Sequence, residues 1–72
     1  MNKRNILSKL TDAGFYASYS SDAVLVDIYQ SIKLQSEYVR PCAEAVVLPL
    51  LGFCARYNLT MRRNGAICEV RA

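Results

Sequence analysis

The sequence of 72 residues predicts a single small α+β domain over 1–72, ordered helix, hairpin, short strand, helix, hairpin, with an antiparallel sheet packed on two helices. Three observations carry that expectation. Two stretches, 2–13 and 41–57, place apolar residues at helical spacing; the stretches after them change to a period of two; and Asn64-Gly65 is the preferred pair for a two-residue hairpin turn.

In the first stretch Ile6, Leu7, Leu10 and Ala13 form an apolar stripe, with Lys3, Arg4, Ser8, Lys9 and Asp12 mostly on the other faces. Gly14 suits the left-handed residue just past the helix end, and Phe15 then folds back onto Leu10 in a Schellman motif. From 15 to 28 the side chains alternate: Phe15, Ala17 and Tyr19, then the turn cluster Ser20-Ser21-Asp22, then Val24, Val26 and Ile28, which predicts a hairpin. The segment from 29 to 39 is ambiguous. Ile32 to 35 reads as a third short strand, while Asp27, Ile28, Ser31, Ile32 and Gln35 fit one helical stripe equally well.

Pro41 is tolerated in a first helical turn and opens the main helix, expected from 41 to 57. Pro49 cannot donate to the carbonyl of Ala45, which predicts a kink or two short helices meeting at Leu48. Asn58 takes the left-handed exit, Leu59 folds back on Cys54, and Arg56 sits at the carbonyl end of the helix dipole. The last hairpin is expected to turn at Asn64-Gly65. That register pairs Arg63 with Ala66, Arg62 with Ile67, Met61 with Cys68, Thr60 with Glu69 and Leu59 with Val70. Leu59, Met61, Ala66, Cys68 and Val70 then share one face, and Thr60, Arg62, Ile67, Glu69 and Arg71 the other.

Composition narrows the function classes. At 53% hydrophobic and 21% charged, the chain has the apolar content of a folded domain. A formal charge of +3 is mildly basic, short of the dense Lys/Arg content that makes phosphate binding the default. The three cysteines form no CxxC pair and there is no histidine, so no metal or cofactor is expected; the thiols read as buried in a reducing compartment. The basic start Met-Asn-Lys-Arg is followed by alternating polar and apolar residues without a signal-peptide block, and the expected location is cytoplasmic.

Catalysis is not expected. The carboxylates Asp12, Asp22, Asp27, Glu37, Glu44 and Glu69 are scattered over different elements, no imidazole is present to activate a thiol, and Gly14, Gly52 and Gly65 make no phosphate loop. Lys3, Arg4, Arg62 and Arg63 are the candidates for a nucleic-acid contact, against the plainer reading of a solubilising surface. Tyr16 and Tyr19 offer rings for base stacking, but no basic residue adjoins them, and half-buried sheet tyrosines explain them as well.

The order helix, strands, helix resembles the double-stranded-RNA-binding topology. The run Ile6-Leu7-Ser8-Lys9-Leu10-Thr11-Asp12-Ala13-Gly14-Phe15 is similar to the opening helix and strand of the HicA-type toxins that use that fold. Those toxins are ribonucleases that depend on a histidine in the second strand region; with no histidine here, the resemblance implies no activity for this chain.

The main helix is apolar on two sides. Ala43, Val46, Val47, Leu50, Phe53, Cys54 and Tyr57 already make a complete core stripe, yet the opposite side reads Glu44, Ala45, Leu48, Leu51, Gly52 and Ala55. The run falls short of the roughly 20 residues a bilayer requires and holds Glu44 and Pro49, so no membrane partner is expected. Either the first helix or the 29–39 segment wraps this second side, or Leu48, Leu51, Gly52 and Ala55 form an interface closed by another chain. The expectation drawn is a small non-enzymatic regulator or inhibitor, acting by contact with a protein target or a second copy of itself, of the kind carried by phages and mobile elements. A nucleic-acid-binding module using the basic residues and a homodimeric structural domain are the alternatives.

Overall fold

A computed structural model describes residues 1–35 and 42–72. The elements run α1 (Lys3–Asp12), β1 (Ala17–Tyr19), β2 (Val24–Asp27), α2 (Ile28–Gln35), α3 (Glu44–Arg56), β3 (Thr60–Asn64) and β4 (Ile67–Arg71). The four strands form one antiparallel sheet in the order β1-β2-β4-β3, so β2 and β4 are central and β1 and β3 are edges.

Both ends of α1 and the exit of α3 have a local cause. Asn2 caps α1 by accepting a hydrogen bond from the Asn5 backbone N–H at 2.9 Å. The exit is the expected Schellman motif: Gly14 has φ +96°, its N–H donates to the Thr11 carbonyl, and the Phe15 N–H donates to that of Leu10, both at 3.0 Å. The exit of α3 repeats it with Asn58 at φ +55° and the Leu59 N–H donating to the Cys54 carbonyl at 2.8 Å. Both folded-back residues, Phe15 and Leu59, are buried.

After β2 the chain forms a helix where a short strand was one of two expectations. The carboxylate Oδ1 of Asp27 accepts from the Gln30 N–H at 3.0 Å, capping α2. Ile28, Ser31 and Ile32 are buried along one stripe, and the Ser31 hydroxyl accepts from the Tyr16 N–H at 2.8 Å, tying α2 to the start of β1. The sheet is therefore packed on three helices rather than two. The resemblance to the double-stranded-RNA-binding order ends at the same place, because α2 directly follows the second strand.

α3 is one helix of 13 residues with Pro49 inside it, not two helices meeting at Leu48. Pro49 is exposed, so the Ala45 carbonyl that loses its helical donor faces the solvent side of the helix, where it costs less than it would in the core. The helix begins at Glu44, later than expected; Pro41's place in a first turn and the 36–39 part of the ambiguous segment lie outside the described residues.

The last hairpin forms, with its turn one residue later than expected. Asn64 pairs with Ile67, Arg63 with Cys68, Arg62 with Glu69, Met61 with Val70 and Thr60 with Arg71. Gly65, at φ +61°, is then the first of two loop residues, Gly65 and Ala66, and Ala66 is not left-handed; that is the glycine placement of a type II′ turn. The cause is upstream. Leu59 is held in the α3 exit motif and cannot enter the strand opposite Val70, so Met61 takes that position. Each partner changes by two residues, which preserves parity and leaves the expected faces intact.

One face of the sheet carries Val24, Val26, Cys68 and Val70, all fully buried. All three helices lie on it, contributing Ile6 and Leu10 from α1, Ile28 and Ile32 from α2, and Val46, Leu50 and Cys54 from α3 to a single core. No helix among the described residues covers the other face, where Leu25 and Ile67 are partly exposed among Ser18, Arg62, Glu69 and Arg71. At its end Arg71 bridges Asp22 at 2.8 Å and Glu69 at 3.2 Å. The hydrogen bond and charge of Arg71 hold the Asp22 carboxyl below its usual range.

Candidate protein-docking face

The core accounts for half of α3. Val46, Leu50 and Cys54 are buried, and Ala43, Val47, Phe53 and Tyr57 pack partly against the same core, as the sequence stripe predicts. The opposite arc is open. Leu48 is 63% and Leu51 47% exposed, and Gly52 and Ala55 beside them are exposed as well. Neither α1 nor the described part of the 29–39 segment wraps this side. Two half-exposed leucines forgo about 1–2 kcal/mol each relative to full burial, a large amount for a domain of marginal stability.

Charge is confined to the ends of the helix. Glu44 lies in the first turn and Arg56 in the last, each at the favourable end of the helix dipole. The Glu44 carboxylate accepts a hydrogen bond from the Cys42 thiol at 2.8 Å, which is the main cause holding its pKa below the usual value.

Along the Pro49 and Gly52 side the open arc runs into a cleft of about 600 Å³ between the end of α1 and α3, which spacing alone does not reveal. Phe15, Phe53 and Tyr57 form its floor and Lys9, Asp12 and Arg56 its rim. Phe15 meets Phe53 edge to face at 6.2 Å, and Phe53 meets Tyr57 at 4.8 Å. The Lys9 ammonium stands 5.1 Å and the Arg56 guanidinium 5.7 Å from the Tyr57 ring centre, a doubly cationic aromatic edge. These groups come from different elements and meet only because α1 ends beside α3, so no motif announces them.

The four basic candidates are not brought together. Lys3 and Arg4 are on α1, and the Lys3 ammonium donates to the carbonyls of Ser20 and Ser21 at 3.2 and 2.9 Å, locking the β1–β2 turn. Arg62 and Arg63 are on β3, the far edge of the sheet from β1, and alternate between its two faces; Arg62 stands opposite Glu69, and the Arg63 Nε donates to the Gly65 carbonyl at 3.1 Å. Tyr16 and Tyr19 are about half exposed and, three positions apart on extended chain, point to opposite faces rather than forming one stacking platform.

The carboxylates are likewise taken up by structure: Asp22 and Glu69 on Arg71, Asp27 on the α2 cap, Glu44 on Cys42, with Asp12 on the cleft rim; Glu37 lies outside the described residues. Among the described residues no cluster of three metal-binding side chains occurs, and no helix is long and apolar enough to cross a membrane. Cys54 and Cys68 are buried as expected, but Cys42 is exposed, because α3 begins two residues after it. Set against protein-family models, curated proteins and solved structures, the chain matches none of them.

Proposed function

We propose that this chain is a non-catalytic binding domain that acts by protein–protein contact, with the outward arc of α3 as its docking face. The observation that carries the reading is the exposure of Leu48 and Leu51 on a helix whose other side already fills the core. Apolar side chains gathered on one face of a small domain stabilise it only when something else removes them from water. Gly52 and Ala55 keep the surface between them low, so a partner backbone can approach closely. The reading fits a regulator or inhibitor that occupies a surface on its target, an economical role for a chain of this size, and a cytoplasmic phage or mobile-element setting suits it.

The test compares capture by the immobilised wild-type domain and by Leu48→Asp/Leu51→Asp. Proteins retained by the wild type and lost with the double variant support the reading. Retention by both to the same extent contradicts it. A nucleic-acid role has no comparable support, since its four candidate residues are dispersed and two of them hold turn carbonyls.

A further inference from the structure

We infer that the occupant of the α3 face is a second copy of this chain, packed antiparallel about a twofold axis that crosses α3 at the level of Leu50; this rests on the docking reading above. A twofold interface is isologous: whatever residue i meets at residue j of the partner, j must meet at i. Most of the outward arc of α3 has that self-complementarity, Leu51 alone falling opposite Pro49 at its border. Counting outward from residue 50, Glu44 corresponds to Arg56, Ala45 to Ala55 and Leu48 to Gly52. Acid answers base, small answers small, and the protruding leucine answers the position with no side chain.

Two observations support this occupant over an unrelated protein. Glu44 and Arg56 are the charged residues of α3, and they stand at opposite ends, about 18 Å apart along the axis at 1.5 Å per residue. An antiparallel copy brings each toward its opposite, whereas a parallel copy sets like beside like. Gly52 is the second observation. It sits inside a helix, where glycine is unfavourable, and a Cβ added there meets no atom within 4 Å. Nothing in the chain's own packing asks for glycine at this position, but the Leu48 side chain of an antiparallel copy does.

A helix of 13 residues is about 20 Å long, and its face falls short of the roughly 800 Å² per partner of a standard interface. The dimer is therefore weak, dissociating in the micromolar range or above.

The test is sedimentation equilibrium on the full chain over a concentration series, with circular dichroism confirming that each variant is folded. The wild type forms a reversible dimer. Glu44→Arg and Arg56→Glu each weaken it by about tenfold, since each variant faces like charges across both ends of the interface. An equimolar mixture of the two regains wild-type association, because only the mixed dimer pairs opposite charges at both ends. Gly52→Leu, whose Cβ meets no atom of its own chain within 4 Å, loses association by a similar factor or more. A wild type that stays monomeric at high micromolar concentration overturns the inference while leaving the docking face available to a different protein. A dimer indifferent to the mixing experiment overturns the register and the inference with it. A dimer that also survives Leu48→Asp/Leu51→Asp is built on another surface and overturns this inference, again leaving the docking face available to a different protein.

Discussion

Burial pushes the Cys54 and Cys68 thiols up from their usual values, since a thiolate there would lose its water, and the proximity of Cys68 adds to the effect on Cys54. Cys42 is exposed. Thiol-specific labelling of the native protein should therefore show one fast group, at Cys42, with the other two reacting only on unfolding; three equal rates would show that the α3–β4 contact is not closed. Two of these environments were legible in the sequence, because Cys54 falls on the helical core stripe and Cys68 on the inward phase of the last strand. Cys42 was misplaced for a specific reason: Pro41 and the apolar run after it suggest an earlier helix start than the chain takes. The cation-bordered Tyr57 was not legible at all, because Lys9 is 48 positions away and reaches the ring only through the tertiary placement of α1.

Several elements are bounded by short polar devices at their ends. Asp27 illustrates this: the alternation from Val24 to Ile28 continues through it, yet it ends β2 and caps α2 through the Gln30 N–H. The Asp-x-x-Gln spacing is a helix-start signal present in the sequence, but the period-two run overlies it. Asp27→Ala should lower stability by about 1 kcal/mol, read from the midpoint of urea unfolding, and an unchanged midpoint would show that the cap is idle. Both Schellman exits were legible from Gly14-Phe15 and Asn58-Leu59, where a left-handed residue is followed by an apolar one. The register of the final hairpin was not, since the pull of Asn64-Gly65 toward a type I′ turn competes with the α3 exit for Leu59, and the exit prevails.

At the scale of the whole molecule, a four-stranded sheet offers one apolar face, and three helices share it. Tyr29 and Leu34 on α2 remain uncovered, as does the outer half of α3. That surplus was legible early because it follows from angular counting along 41–57: a helix apolar all round needs cover all round, and a chain this short supplies cover on one side. The identity of the cover could not be counted in that way. Only the intact α3, continuous through Pro49, sets Glu44 and Arg56 at the two ends of one helix, on which the proposed antiparallel register rests.

The division of α3 puts Leu48 and Leu51 on a surface and Leu50 in the core. It is tested most directly by thermal unfolding at concentrations too low for association, comparing Leu48→Asp/Leu51→Asp with Leu50→Asp. The double variant should unfold cooperatively within a few degrees of the wild type and Leu50→Asp should not fold, since a charge there would be buried without a partner. A double variant as unfolded as Leu50→Asp would place both leucines in the core and contradict it.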